Sequence, residues 1–559
     1  MFIKATKSKG FEYIKLVESY RDENKITRHR ILFNFGRSDL IKNSKSFINM
    51  VKKLCEIAEI GIADNNPSFD CSEAQMLEYG YLPYLKLWET LGIGNSLRKM
   101  QRTTKCKFSM NDAAFLMAAQ RLLLPKSKLA TYEYQGNYFG LQEIKLHQLY
   151  RTLKRLGEYK EILEDDLFQE NYTKVGHKVD VVFYDVTTFA FESVIADELK
   201  NFGFSKDCKF NEVQVVMGLL IDGNGLPIGY ELFPGNTFDG KTMVTALKNI
   251  QKRFGINKVI IVADRGLNSK GNLKAIKDAG YGYIVASKIK GMKQAVHGQI
   301  FNEEGYITVS DDFRYKTIDY VNRFKDEDGA AHCLTETLVV SFSQKRANKD
   351  MKDRQRLIDK AKKLLEKPAD IQSSNKRGGK KYIITENSTN ENYSLDKKRI
   401  HYDSKFDGYY GIQSSEKEMP ATDIIEAYRT LWRIEESFKV MKSTLEVRPV
   451  FHWRPEYIHG HFVLCFLSFM LERKLEMLLN EQGIENSPEK IQEALNSMQL
   501  AKVSLNNETV YIKAKNKPLA NQICRILKLK QPQNINNEDQ LREVFDIEKK
   551  GLWGQLRLF

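Results

Sequence analysis

Two apolar runs each end on an aspartate, VDVVFYD (Val179–Asp185) and NKVIIVAD (Asn257–Asp264). Short β-branched runs without a helical period read as strands buried on both faces. The first extends through VDVVFYDVTTFAF, and NEVQVVMGLLID and LPIGYELFPG follow as two more strands joined by the turn DGNG. Then the period changes. KTMVTALKNIQKRFG predicts a helix that stops at Gly255, KGNLKAIKDAG a second helix, and YGYIVAS a last strand. The order is β-β-β-α-β-α-β. Three strands with short connections, followed by alternation with helices, call for a mixed sheet flanked by helices.

Around that centre the chain, 559 residues in all, has room for about three to five domains. FEYIKLVESY and RHRILFNFG, either side of RDENK, alternate as a small β-hairpin unit near the start. From about residue 75 the pattern is helical. NDAAFLMAAQRLLLP stops at Pro125, and HQLYRTLKRLGEYKEILEDDLFQE groups Arg151, Lys154 and Arg155, which either lie on DNA or form a solvated face. After residue 292, YITVSDDFRYKTIDYVNRF and TETLVVSFS read as antiparallel strands, and FDGYYGIQSS returns to strand before helices run to the end. FVLCFLSFML, at ten residues, is too short to span a bilayer and is expected to be a buried helix.

Charge narrows the partners. The formal net charge is +15, which favours polyanionic partners, chiefly nucleic acid or an anionic membrane, with a merely soluble basic protein as the plain alternative. The segment Lys345–Lys381 carries fourteen basic and five acidic residues, so it supplies much of the excess. It is either a solvated helix and loop or a phosphate-binding arm that works by neutralising charge and releasing counterions. The seven cysteines are scattered, with no CxxC pair, which argues against a zinc module or disulfide scaffold and fits a reducing compartment. The start, MFIKATKSKGFEYIKL, lacks the apolar core of a secretion signal, so a cytoplasmic protein with no membrane segment is expected. No glycine-rich phosphate loop is present, so no nucleotide cofactor is expected.

Asp185 and Asp264 close their strands at the carboxyl ends, where open α/β sheets carry chemistry. If the strands are neighbours the carboxylates converge, and they cannot both ionise without a cation between them. Magnesium, with its oxygen ligands, suits such a site. A third carboxylate from a packed helix would complete a two-metal clamp. YRTLWRIEESFKVMKS (Tyr428–Ser443) reads as one helix on which Tyr428, Glu435 and Lys442 stand seven residues apart and face one way. Glu435 is the candidate. Each residue has a plain alternative: an aspartate at a strand end is often a turn or cap residue, and Glu435 could pair with Lys439 at i+4. Spacing alone leaves Glu436 open as well. Trp432 is expected in the core, with base stacking as its other reading. His459 and His461 lie two apart and would not share a helix face for a metal.

The motifs FYDVTTFAFES, LPIGYELFPGNTFDGKT, VADRGLNS and YRTLWRIEESFKVMKSTLEVRPVFHW together resemble the DDE transposases of bacterial insertion sequences, on a ribonuclease-H-like fold. The branch resembled has a β-rich insertion before its glutamate and a Tyr-x2-Arg-x3-Glu-x6-Lys signature. The resemblance implies catalytic, metal-binding Asp185, Asp264 and Glu435, two Mg²⁺ (or Mn²⁺) ions, and DNA contacts from Tyr428, Lys442, Arg265, Arg429 and Arg433. It favours Glu435 over Glu436. It implies binding of terminal inverted repeats, cleavage, joining of 3′ ends to target DNA, and a homodimer assembled on DNA. A metal-dependent nuclease on the same fold and a non-catalytic DNA-binding descendant are the alternatives. The signature arginine position holds Leu431, a departure that bears on phosphate binding. The expected organisation is an α/β multidomain chain. It has a small β-containing unit (1–74), a helical DNA-binding region (75–172), and a catalytic domain in two parts (173–292 and 405–480). Those parts flank a β-rich insertion with the basic segment (293–404), and a helical C-terminal region (481–559) offers dimer or DNA contacts.

Overall fold

A computed structural model describes residues 2–8, 10–21, 27–41, 44–57, 69–174, 181–203, 212–237, 253–254, 260–263, 265–266, 268–325, 329–367, 371, 378–385, 393–447, 450, 452–505 and 508–545. The alternating N-terminal runs form a three-stranded antiparallel sheet, β1 (Phe2–Ser8), β2 (Phe11–Arg21) and β3 (Thr27–Arg37), one strand more than a hairpin. Helices α1 (Ser38–Ile41) and α2 (Lys45–Ile57) and strand β4 (Phe69–Glu78) follow. The next stretch is helical, as its period requires: α3 (Leu82–Thr90), α4 (Ile93–Arg102), α5 (Met110–Leu123), α6 (Lys128–Tyr134), α7 (Leu146–Glu158) and α8 (Lys160–Phe168). Ser109 and Ser127 cap α5 and α6 by accepting backbone N–H bonds from Asp112 and Ala130.

The apolar runs become β5 (Val181–Ala190), β6 (Gln214–Asp222), β7 (Pro227–Pro234), β8 (Ile260–Ala263) and β9 (Gly282–Ala286), with α9 (Lys270–Asp278) between the last two. The helix expected over KTMVTALKNIQKRFG falls almost wholly outside the described residues. Then come α10 (Gln294–Phe301), β10 (Ile307–Ser310), β11 (Phe313–Lys325), β12 (Ala331–Ser343), α11 (Gln344–Leu365), β13 (Ile383–Thr385), β14 (Tyr393–Leu395), α12 (Lys397–Ser404) and β15 (Tyr409–Ser414). The nine strands outside the small sheets form one sheet in the order β10-β11-β12-β15-β9-β8-β5-β6-β7. Strand β5 is parallel to β8, and β8 to β9, while β6 and β7 run antiparallel. That half is the mixed sheet that the order of the runs called for. The strands of the 293–404 region extend it, because β15 pairs β9 on one side and β12 on the other.

The segment expected as a single helix is two. Helix α13 (Ala421–Arg429) ends at Thr430, and α14 (Trp432–Lys442) starts at once. Leu431, Arg433 and Ile434 donate backbone N–H bonds three residues back, to Tyr428, Thr430 and Leu431, and Thr430 Oγ1 donates to the Ala427 carbonyl (2.7 Å). Three-residue bonds and a back-bonding threonine tighten the turn and interrupt the four-residue ladder. The shared face therefore holds for Glu435 and Lys442, and Tyr428 stands on a separate helix.

The apolar ten-residue run lies inside α15 (Pro455–Glu481), and every residue from Phe462 to Leu471 is buried. This helix packs on α3, α5 and α7 on one side and on β7 and α14 on the other, so one continuous core joins the helical region to the sheet. Two glycines permit that approach: a Cβ on Gly460 would lie 1.8 Å from the Leu153 carbonyl oxygen, and one on Gly157 2.8 Å from that of Glu456. The C-terminal region carries helices α16 (Pro488–Asn496), α17 (Pro518–Ile526) and α18 (Glu538–Val544), and also strands. Strands β16 (Gln499–Leu505), β17 (Glu508–Lys513) and β18 (Ile535–Asn536) build a second sheet on β4, so the end of the chain is not helical alone. Gln499 opposite Glu78 ties this end to the start of the helical region.

Candidate active site

Strand alternation decides which side of the sheet Asp185 serves. Phe183, Asp185, Thr187 and Phe189 share one face of β5. Phe189 on that face meets Phe462 of α15 edge to ring (centroids 5.3 Å), and the Lys442 ammonium of α14 lies 5.7 Å from the Phe189 ring centre. Across the ladder Asp185 faces Leu219, which faces Tyr230, and Tyr230 packs on Phe466 of α15. Asp185 thus points into the layer between the sheet and helices α14 and α15. It is half-buried, and its Oδ1 accepts the Val186 N–H (2.8 Å).

Helix α14 runs beside β5. At its start Arg433 donates to the Gly223 carbonyl in the β6–β7 turn, near the level of Val182, which pairs with Asp222. At its end Lys442 reaches Phe189. The buried face of α14 is Ile434, Ser437, Phe438 and Met441, which packs toward the core. Two flanks remain. Arg433 and Glu436 take the flank toward the β6–β7 turn and α15. Glu435 takes the other, with Trp432 and Lys439.

The two neighbouring glutamates are distinguished by their partners. Glu436 accepts from Arg473 of α15 (3.2 Å), and Arg473 also pairs with Glu476 (2.9 Å). Glu436 is therefore spent on a largely buried ion-pair cluster. Glu435 is exposed, and its carboxylate has no ion pair or hydrogen bond among the described residues, Lys439 included. Trp432 is 54% exposed, contrary to the expectation of a core tryptophan, because the core-facing positions of α14 fall at 434, 438 and 441. Leu431 is 5% exposed and belongs to the main core. The position that holds arginine in the signature is a packing position in this chain.

The remaining expected residues divide. Tyr428 Oη bonds Tyr410 Oη of β15 (2.6 Å), and the Arg265 guanidinium lies 5.9 Å from the Tyr410 ring centre. Arg429 stacks on Phe313 of β11 at 4.6 Å, five strands along the sheet from β5. Strand β8 ends at Ala263, and Asp264 lies outside the described residues. The loop that follows is tied down by Asn268, whose amide donates to the Ala286 carbonyl (2.6 Å) and to Gln413 (2.8 Å). Gln413 in turn donates to the buried Glu336, which also accepts from Tyr283. Asn268, Tyr410 and Glu336 carried no sequence signal: Asn268 and Glu336 act through partners more than fifty residues away, and Tyr410 through one on a separate element eighteen residues on.

A divalent ion needs oxygen donors with lone pairs to spare. Glu435 meets that condition, and Asp185 presents a carboxylate to the same layer. Among the described residues, without Asp264, no group of three His, Cys, Asp or Glu is close enough to hold a metal. His461 is not such a donor: its Nε2 contacts the Val447 carbonyl (3.0 Å), and burial holds its pKa well below the usual histidine value. No helix among the described residues is long and apolar enough to cross a membrane.

The sequence matches two family models: the transposase DDE domain over residues 177–471, and the N-terminal domain of IS1634 family transposases over residues 3–63. No curated protein matches it. Two solved structures resemble parts of the fold. One is a piggyBac transposase synaptic complex with hairpin DNA, at 10% identity and TM-score 0.35, over 78% of this chain and 82% of that one. The other is a Mos1 transposase paired-end complex with the left transposon end, at 12% identity and TM-score 0.14, over 32% of this chain and 60% of that one. At these scores neither bears on the reading below.

Proposed function

The chain belongs to the DDE-domain transposase family, and on that premise we propose that it binds the terminal repeats of its own element, cuts the DNA there and joins the freed 3′ ends to a target. Asp185, Asp264 and Glu435 are the proposed metal ligands. What supports the pairing of the two aspartates is that β5 and β8 are parallel neighbours, Val181–Phe183 against Ile260–Val262. When bound, a pair of Mg²⁺ or Mn²⁺ ions supplies the activated attacking oxygen and stabilises the leaving one. The chain's own groups do the positioning. Arg265 and Lys442 neutralise backbone phosphates, and Tyr428, braced by Tyr410, fixes the approach. Trp432, exposed one turn before Glu435, offers a face for an unstacked base. Arg433, held by the Gly223 carbonyl, and Arg429, stacked on Phe313, are not needed for this arrangement. Both ends are held in a homodimer.

The observation that carries this reading is Glu435: an exposed carboxylate with no partner among the described residues, on a helix packed against the strand whose Asp185 faces the same layer. The test is supercoiled DNA bearing the element's ends, incubated with Mg²⁺ and either intact protein or Glu435→Gln. We expect equal binding, cutting by the intact protein, and at least a hundredfold slower cutting by the variant. Equal cutting by both would remove Glu435 from the site and overturn the assignment. A pre-cut 3′ end offered with a target plasmid separates strand transfer from plain nuclease action.

A further inference from the structure

Between the central sheet and the 293–404 region lies an open cavity of about 360 Å³. Its cationic lining comes from Arg265 after β8, Lys288 and Lys290 after β9, Arg346 and Arg354 on α11, and Lys381. Four carboxylates line it too, and each has a partner. Asp403 accepts from Lys381 (2.5 Å) and from Tyr382 Oη (2.9 Å). Asp407 is paired with Arg354, and Asp353 with Arg356 (3.3 Å). Asp350 accepts the Gly408 N–H (3.1 Å) and stands only loosely near Arg346 Nε (3.6 Å). Arg354 and Lys381 therefore serve as braces that hold the region to itself. Arg265 has no ion pair among the described residues, and Arg346 is 45% exposed.

These two guanidiniums converge on one ring. Arg346 sits 4.5 Å and Arg265 5.9 Å from the centre of Tyr410, whose hydroxyl bonds Tyr428. Arg265 is the neighbour of Asp264, and Arg346 is brought by the insertion across the cavity. The geometry points to a phosphodiester clamp in which Arg346 of the insertion and Arg265 of the core together hold a DNA backbone phosphate beside the catalytic carboxylates. Planar guanidinium forks match phosphate oxygens two at a time, and stacking on Tyr410 fixes their planes before the strand arrives. Leu431, buried just before α14, offers no guanidinium at the signature position. Within the strongly basic segment, Arg346 thus has a distinct task, and the lysines on the opposite face of α11, such as Lys352, do not share it.

The inference rests on the transposase reading for its ligand class, and its test is separable from that reading. Binding of the full chain is followed as a function of salt, on a duplex carrying an element end and on a duplex of unrelated sequence. The proteins are intact chain, Arg346→Ala, Arg346→Lys, Lys352→Ala and Glu435→Gln. One lost phosphate contact lowers the log–log salt slope by about 0.9. We expect that loss for Arg346→Ala, together with at least tenfold slower cutting. Arg346→Lys should keep the slope, and Lys352→Ala should keep the cutting rate. A slope change on the end duplex alone assigns the clamp to the end strand, and a change on both duplexes assigns it to any strand in the site. If Arg346→Ala keeps both slope and cutting rate while Glu435→Gln is inert, the clamp is overturned and the catalytic assignment stands. If Arg346→Ala loses slope and Glu435→Gln still cuts, the catalytic assignment falls and the clamp stands. Loss of slope in Arg346→Lys as well, with a lowered melting temperature, marks Arg346 as structural and overturns the clamp.

Discussion

Glu435 and Glu436 are adjacent in sequence and differ in what surrounds them. Glu436 is answered by Arg473, while Glu435 faces solvent on the flank toward β5. Helical spacing could nominate either and the signature favoured Glu435, but what each carboxylate meets depends on packing, because a helix turns about 100° per residue. Leu431 shows the reverse. Its identity was visible as a departure from the signature, and its burial explains why the chain keeps it. Restoring the signature with Leu431→Arg would put a guanidinium into the core without a carboxylate. We expect a loss of stability on the order of 3 kcal/mol in urea unfolding and no gain in cutting. Unchanged stability would mean that the arginine reaches solvent there, and Leu431 would then be a position of choice rather than of packing.

Elements meet where their backbones allow it. The tight turn at Thr430 and Leu431 divides the signature between α13 and α14, so Tyr428 can answer Tyr410 while Glu435 faces the β5 layer. A single straight helix would aim both side chains the same way. The crossing of α7 and α15 depends on Gly157 and Gly460. In Gly460→Ala the added carbon meets the Leu153 carbonyl at 1.8 Å, a backbone atom that cannot swing aside. We expect a loss of about 1–3 kcal/mol in chemical denaturation, as overpacking typically brings. Gly298→Ala is the contrast: Gly298 lies in α10 with nothing near its Cβ position, and that change should stabilise by about 0.5–1 kcal/mol. Equal effects from the two changes would remove the close crossing as the cause.

At the scale of the molecule, one core runs from the N-terminal helices through α15 to the sheet, and it encloses charge. Burial, with Glu476 nearby, pushes the Glu472 carboxyl from an ordinary 4.5 up to about 8, and burial raises Glu476 to about 7. A carboxyl whose pKa is higher folded than unfolded binds the extra proton in the folded state. Its contribution is therefore present below about 4.5 and is lost as pH rises towards 8. The melting temperature should fall between pH 6 and pH 9, and Glu472→Gln, neutral at every pH, should flatten that fall. An equally steep fall in the variant would place the pH dependence elsewhere.

Much of this was legible before any fold was seen. The β-branched runs had to be strands, the change of period had to begin helices, and two aspartates with a late glutamate marked a candidate site, although Asp185, expected to close its strand, stands in the middle of β5 because the strand runs on through VTTFA to Ala190. Those features are local, since periodicity and strand alternation depend only on neighbours in the chain. The residues that finish the arrangement are not local. Tyr410 against Tyr428, Arg346 across from Arg265, Arg473 on Glu436 and Asn268 on Gln413 are pairs whose members have no short-range pattern in common. The basic segment illustrates the limit: its charge could be counted, but which arginines brace the insertion and which remain open depended on where Asp403 and Asp407 came to lie. The sequence by itself determined the central strands and the fold class, and it nominated the acidic set. The tertiary structure alone decided which glutamate is free, where the signature helix breaks and which cations face the cavity. A charge or a hydroxyl acts through the atoms packed against it, and packing is settled only when distant segments meet.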